Sequence, residues 1–517
     1  MNASLFLKKV NNKLFHSEER AYRKKFLLSR ADEAVLKEES ETVFPLMPKI
    51  SILVPVFRTP IDFLNDMIES VVLQSYGNWE LILANASPEV PLLSEELNHW
   101  AEKDARIVLF DLKENAGISE NTNRAFERAT GEFIALFDHD DMLEPDVLFE
   151  YVKALNENPE TDVFYCDEDK ITEDSNRFFF PNYKPDYNPD TLYSNNYVCH
   201  FLMMRRTVLT RIGGWRKEFD GAQDYDLILR LSRETRNIRH VPKILYHWRS
   251  HAASTAKSQD TKNYAATAGA RAVKDHFDAL GIPVTTEPGV HAGWVRIHYP
   301  EVKPAEIDTL FFQGETDGER LHSISEAFEK TEAPYVLLLR EGMKKPGAAL
   351  LSDLGGPLIR KETGAVAPRL LFPDNTVYRN GFYVNGNGEA RPYFTGTPGD
   401  EPGFMCCNLT TRNVAALSAE VCMLRREVFS EILPAMKRKL EENSENTSVD
   451  SFGLLLSSCL SEAGYRLVMR SEVSITGASS KACLSKTRKP VFTTFFRENF
   501  RDTCYNSNFD KKGKFEA

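Results

Sequence analysis

Ile50-Ser51-Ile52-Leu53-Val54-Pro55-Val56-Phe57 is an apolar run that leads into a proline-bearing loop, Arg58-Thr59-Pro60. Its lack of polar alternation predicts a strand covered on both faces, as in a parallel sheet. Beyond it Phe63, Met67, Ile68, Val71, Val72 and Leu73 recur at helical spacing. Trp79-Glu80-Leu81-Ile82-Leu83-Ala84 predicts a second strand, Leu92 to Lys103 a second helix, and Arg106-Ile107-Val108-Leu109-Phe110 a third strand. Strand, helix, strand, helix, strand is an α/β fold with a parallel sheet. Ligands of such sheets collect outside the carboxyl ends of the strands, where Pro55, Asn85 and Asp138 emerge.

A further buried run, Glu132-Phe133-Ile134-Ala135-Leu136, opens into Phe137-Asp138-His139-Asp140-Asp141. Three carboxylates where a chain leaves the core suit a hard divalent cation. An isolated Asp-x-Asp reads as well as a cap or an Asx turn ahead of Pro145. The company the motif keeps turns the reading toward a metal.

That company is ordered. Val54-Pro55-Val56-Phe57-Arg58-Thr59-Pro60, Asn115-Ala116-Gly117-Ile118-Ser119, Ala129-Thr130-Gly131-Glu132, the Asp138 cluster, Tyr165-Cys166-Asp167-Glu168-Asp169-Lys170, Gln223-Asp224-Tyr225-Asp226 and Leu245-Tyr246-His247-Trp248-Arg249 follow one another between residue 50 and about residue 255. In this the chain resembles the family 2 glycosyltransferases of GT-A, Rossmann-like nucleotide-sugar fold. The likeness is greatest to the rhamnosyltransferase-like branch that builds bacterial surface polysaccharides.

The resemblance implies a nucleotide-sugar donor held by Pro55, Val56, Phe57, Asn85, Asn115, Gly117, Asp138 and Arg249. It implies Mg²⁺ or Mn²⁺ on Asp140 and His247, neutralising the diphosphate. Asp141 either supports the metal ligand or caps a turn. Asp224 stands at the family's general-base position, ahead of the helical run Leu227-Ile228-Leu229-Arg230-Leu231, where it also reads as a cap. Asp226 is the weaker candidate. Gln223 and Trp215 are candidates for the acceptor side, although Trp215 reads equally as a packing residue. Where the family carries Asp after its second strand, this chain has Asn85-Ala86-Ser87, which leaves both uridine and thymidine diphosphate donors open.

Past residue 255, Asn263 to Leu280 predicts a helix and Pro300 to Pro304 a linker. The second half then echoes the first. Glu332 to Met343 lies over Thr130 to Met142, Val421 to Arg426 over His200 to Arg206, and Val449 to Leu456 over Gln223 to Leu229. Arg340-Glu341-Gly342 stands where the first copy has Asp138-His139-Asp140, so the expected metal ligands are missing. No counterpart of the opening strand and its proline loop is evident before Ile307-Asp308-Thr309-Leu310-Phe311-Phe312. The expectation is an N-terminal helical segment over 1–48, a catalytic domain over 49–300 and a degenerate GT-A-like module over 301–517. That module would dimerise the chain, bind acceptor glycan or brace the first module.

The chain of 517 residues suits two domains, and 42% hydrophobic with 27% charged residues indicates a globular protein. A net charge of −11 argues against general nucleic-acid binding. Eight cysteines without a C-x-x-C pair read as reduced thiols. No signal peptide or membrane-spanning run is evident, which predicts the cytoplasm, at or near the inner face of the plasma membrane. Residues 1–30 carry eight Lys or Arg against two Glu, with Phe6, Val10 and Leu14 at helical spacing. This basic segment either rests on an anionic membrane or packs on the second module or a partner chain.

These features predict an inverting, metal-dependent transferase that moves rhamnose from a thymidine diphosphate donor, or a hexose from a uridine donor, onto a lipid-linked surface glycan. A non-catalytic glycan-binding scaffold is the alternative. A nucleotidyltransferase is disfavoured, because Pro55-Val56-Phe57-Arg58-Thr59-Pro60 lacks the glycines of a phosphate loop.

Overall fold

The structure, a computed structural model, describes residues 19–251, 259–291, 293–384, 389–442, 448–476, 491–492, 496, 502–506 and 508. Phe6, Val10 and Leu14 of the basic N-terminal segment lie outside the described residues.

The first sheet holds β1 (Ile50–Val56), β2 (Trp79–Asn85), β3 (Ile107–Asp111), β4 (Phe133–Leu136), β5 (Met142–Leu143), β6 (Val163–Thr172), β7 (Phe178–Asn182), β8 (Met203–Arg205) and β9 (Ile238–Ser250). Its order is β3-β2-β1-β4-β8-β6-β9-β5, with β7 on the side of β6. Strands β3, β2, β1 and β4 are parallel, as the alternation of strands and helices predicts. Strand β8 then runs antiparallel to both β4 and β6, so the sheet as a whole is mixed. The order reverses at β1, whose two neighbours β2 and β4 leave in opposite directions. In an open α/β sheet that switch point opens a crevice beyond the strand ends.

The apolar runs explain the burial. Along β1, Ile52 and Val54 enter one core with Met67, Leu81 and Tyr246, and Leu53 enters the other with Ile82, Ile134 and Leu227. A strand sandwiched in this way contributes about 1.5 to 3 kcal/mol for each large side chain fully buried.

A two-stranded hairpin of β10 (Thr285–Pro288) and β11 (Val295–His298) leads to a second sheet. Its strands include β12 (Ile307–Phe312), β13 (Tyr335–Arg340), β14 (Thr363–Leu371), β15 (Val377–Arg379), β18 (Thr411–Asn413), β19 (Val421–Arg425) and β20 (Arg466–Thr476), while β16 (Phe382–Val384), β17 (Glu389–Pro392) and β21 (Val491–Phe492) pair separately. The order β12-β13-β19-β14-β20 repeats β1-β4-β8-β6-β9 in both sequence and strand direction. Ile307–Phe312 therefore occupies the place of the opening strand, without the proline loop. Counterparts of β2 and β3 are missing from the second sheet among the described residues.

The two sheets meet through the helix Pro189–Ser194 and β18. Asp190 forms a fully buried ion pair with Arg360, and Asn413 donates to Asp190 Oδ2 at 2.8 Å. Near the end of the chain, Asn506 Nδ2 reaches back to the first sheet and donates to both oxygens of buried Asp167, at 3.1 and 3.0 Å. No helix among the described residues is long and apolar enough to cross a membrane.

Candidate active site

Strand β4 ends at the switch point, and its polar continuation turns back at once, with Asp141 N–H donating to Asp138 C=O at 3.4 Å. Asp141 is buried and fully engaged: Tyr246 Oη donates to Oδ2, and the Arg249 backbone N–H donates to Oδ1 at 2.7 Å. Burial first, and the charges of Asp138 and Asp140 next, raise the Asp141 carboxyl well above the ordinary range. It therefore supports the loop and does not cap a helix.

Asp138 and Asp140 keep outward positions, with side chains 49% and 22% exposed. His251 Nε2 lies 2.8 Å from Asp140 Oδ2. His200 Nε2 lies 3.7 Å from Asp138 Oδ2. The His200 ring stacks on Tyr246 at 4.5 Å, and its Nδ1 is 3.2 Å from Glu168 Oε2. Glu168 also receives Lys184 Nζ at 2.8 Å. Burial alone would raise this carboxyl, but Lys184 and His200 hold it well below its ordinary range.

The line continues to Asp224, at the second position of the helix Gln223–Glu234. Cys199 Sγ stands 3.4 Å from His200 Nε2 and donates to Asp224 Oδ2 at 3.3 Å. Burial pushes the Cys199 thiol up to about 12, so it keeps its proton. Asn196 Nδ2 donates to the same oxygen at 2.8 Å. Both donors converge on Oδ2, and Oδ1 takes no hydrogen bond from the described residues. Cys199 holds a φ of +35°, a strained conformation for a residue with a side chain, at the point where it bridges His200 and Asp224.

Two expectations are corrected. His247 faces away from this cleft: strand pleating sends Tyr246 and Trp248 toward His200 and sends His247 to the other face. There His247 is buried, with Nδ1 2.5 Å from Asp169 Oδ1 and Nε2 2.8 Å from Glu144 Oε1, so neither nitrogen is available to a metal. Tyr22 donates to Asp169 at 2.5 Å and Arg30 Nε to Glu144 at 2.8 Å, so the helix over residues 19–29 closes this buried network. Arg249 is likewise consumed. Its Nε donates to the Asp140 carbonyl at 2.6 Å and its other nitrogens to Glu173 C=O, Ser175 Oγ and Asp66 Oδ2, which makes it a brace for the loop and not a diphosphate ligand.

The remaining candidates divide by burial. Pro55 and Val56 end β1 at the crevice, and Phe57, just past it, is 40% exposed. Asn85 ends β2 and donates to Asp111 Oδ1 at 2.8 Å. The carboxylate lacking at position 85 is thus present next door, on Asp111 of β3. Asn115 Oδ1 accepts from Gly117 N–H at 3.2 Å. Gly117 has φ +100°, and a Cβ there would lie 2.7 Å from Asp220 Oδ2, so the close approach of these loops requires glycine. Gln223 Oε1 accepts from Gly221 N–H at 2.9 Å and closes the turn before the helix. Trp215 is buried among Ala125, Leu209 and Leu231, edge-on to Phe126 at 6.2 Å, and is a packing residue. Asp226 is buried against Arg216 and Arg230.

Asp138, Asp141 and His200 come close enough to share an ion, but Asp141 has both oxygens committed. Asp138 and Asp140, with His251 beside them, are the carboxylate and imidazole donors that suit Mg²⁺ or Mn²⁺. His251, His200, Cys199, Asn196 and Asp111 are the residues that motif reading missed.

Residues 51–213 match the family model described as Glycosyl transferase family 2. An uncharacterized protein, y4gI, of Sinorhizobium fredii is 30% identical over 443 residues, which cover 74% of this chain and 49% of that protein. The O-antigen biosynthesis protein RfbC of Myxococcus xanthus is 29% identical over 438 residues, covering 74% of this chain and 34% of the relative. The chain thus spans half or less of the length of these curated relatives. Among solved structures, Staphylococcus aureus TarS 1-349 in complex with UDP-GlcNAc aligns at 15% identity over 44% of this chain and 73% of that one, with a TM-score of 0.35, a likeness too slight to carry an argument. Residues 51–213 are thus similar to the family 2 glycosyl transferases, and this stretch holds the α/β strands around the β1 switch point.

Proposed function

We propose that the chain is an inverting, metal-dependent glycosyltransferase that extends a bacterial surface polysaccharide. One observation carries this reading: Asp138 and Asp224, far apart in sequence, share one cleft through the contacts of His200 and Cys199.

Asp224 acts as general base. With Oδ2 fixed by Asn196 and Cys199, Oδ1 is the oxygen that accepts the proton of an acceptor hydroxyl as that hydroxyl attacks the anomeric carbon and the nucleoside diphosphate departs. Asp138, Asp140 and His251 would hold Mg²⁺ or Mn²⁺, which when bound neutralises the diphosphate. Arg249 and Asp141 hold the Asp140 loop in place. The ends of β1 and β2, with the Asn115–Gly117 loop and Asp111, form the nucleotide side of the crevice. Gln223, at the mouth of the helix, faces the acceptor side.

The O-antigen role named for the M. xanthus relative supports a surface glycan as product. Rhamnose from a thymidine diphosphate donor is the first candidate and a hexose from a uridine donor the second, with a lipid-linked glycan as acceptor.

The divisions 1–48, 49–300 and 301–517 fit this reading, with the last a degenerate copy. Arg340 ends β13 where Asp138 follows β4, and Asp450, at the place of Asp224, is tied to Arg379 at 2.6 Å. A base so paired is poorly placed to accept a proton.

The test is release of nucleoside diphosphate from a panel of thymidine and uridine diphosphate sugars, with Mn²⁺ or Mg²⁺ against chelator, on wild type and Asp224→Asn. Metal-dependent release abolished by the substitution supports the mechanism. No release from any donor with a lipid-linked glycan present favours the scaffold.

A further inference from the structure

We infer that the helix over residues 19–29, together with the start of β7, is a docking surface for the headgroups of an anionic phospholipid layer. Tyr22 and Phe26 bury one side of this helix against Tyr183 and Ile244. The other side presents Leu28, 78% exposed, and Leu27, 49% exposed, beside exposed Arg20, Lys24 and Lys25. Residues 19–30 hold five basic side chains against the single Glu19, in a chain whose net charge is −11. A basic helix with exposed leucines, fixed to the body by its other face, is suited to lie in a membrane interface.

A cavity of about 210 Å³ sits at the edge of this surface, lined by Glu19, Arg20, Arg23, Arg177 and Phe178. Guanidinium groups match phosphate oxygens in pairs, and three of them line one recess. Glu19 stands 3.9 Å from Arg177 within it. The chemistry recognised is a phosphate ester borne on a lipid.

The position is informative. Strand β7 starts at Phe178, on the cavity, and ends at Asn182, whose Nδ2 donates to Glu168 of the cleft at 3.2 Å. Four steps of about 3.3 Å along a strand place a headgroup in the cavity within about 13 Å of the cleft wall. Docking does not require sugar transfer, so this inference and the transferase reading fail separately.

The test is cosedimentation of the full chain with vesicles of phosphatidylcholine alone or with one third phosphatidylglycerol. The expected result is pelleting with the anionic vesicles only, reversed by high salt, and weakened about tenfold by Arg23→Glu with Arg177→Glu and by Leu28→Asp. Leu28 is exposed, so its substitution leaves the fold intact, which the thermal midpoint checks. Equal pelleting with neutral vesicles, no pelleting, or pelleting that all three substitutions leave unchanged would overturn the inference. So would inorganic phosphate binding without vesicle binding, which would make the recess a free-anion pocket.

Discussion

Asn196 Nδ2 and Asp224 Oδ2 stand 2.8 Å apart, and this contact decides which carboxylate oxygen is left for chemistry. Asp224→Asn keeps the shape and removes the base, and should lower kcat by about 10² to 10⁴. Asn196→Ala should lower kcat less, about tenfold, because the Cys199 thiol still donates to Oδ2. Steady-state kinetics on the two variants checks the order. Equal losses would mean that Asn196 touches substrate itself.

His251 and His247 should separate cleanly. His251→Ala should raise the metal concentration needed for half-maximal activity about 10- to 100-fold, with an unchanged thermal midpoint. His247→Ala should leave the metal requirement alone and lower the midpoint, because it strands Asp169 and Glu144 in the interior. Metal titrations and melting curves on both variants read the two effects.

The buried His247 also predicts a pH dependence. Burial opposes its charge, but Asp169 and Glu144 outweigh burial and push it up to about 9 from an ordinary 6.5. A folded value above the unfolded one gives stability that is complete below about 6.5 and is lost as pH rises through about 9. Asp169 and Glu144 flank the ring in that interior, and Tyr22 and Arg30 donate in turn to those two carboxylates. Denaturant midpoints should fall across this window in wild type, by an amount on the order of 3 kcal/mol in unfolding free energy, and should flatten in His247→Gln.

The ion pair between the sheets gives a fourth expectation. Asp190→Asn leaves the Arg360 charge buried without its counterion and should destabilise by about 3 to 5 kcal/mol. Adding Arg360→Met should restore a large share, because removing both charges avoids that penalty. A double-mutant cycle on unfolding free energy measures the coupling.

The scaffold was the legible part. Ile50 to Val56 and Trp79 to Ala84 are apolar but for Ser51 and Glu80, as strands covered on both faces are, and a run of that kind has few alternatives to a central strand. Asp138 and Asp140 could be picked out because they follow a strand whose end is visible in the pattern, and Asp224 because it precedes a visible helical run and matches the base position of the family resembled. His251 could not be. It lies just past the end of β9, where the pleat no longer dictates direction, and the resemblance pointed instead to His247, which faces the other side of the sheet. His200, Cys199 and Asn196 come from irregular chain between the helix Pro189–Ser194 and β8, where no period exists to read. Asp111 falls just past the expected strand Arg106 to Phe110, and only its pairing with Asn85 on the neighbouring strand gives it a place.

Asn506 has a consequence for the order in which the molecule can be completed. A ribosome makes all of the first sheet some 250 residues before it reaches the side chain that donates to both oxygens of Asp167. Until then that buried carboxylate has only His240 and the Lys184 N–H for company, and its neighbour Glu168 carries His200 and Lys184 on a strand not yet fastened from below. The first sheet alone thus lacks the two hydrogen bonds that Asn506 gives Asp167, and the later segment around Asn506 ties down the strand that shapes its cleft.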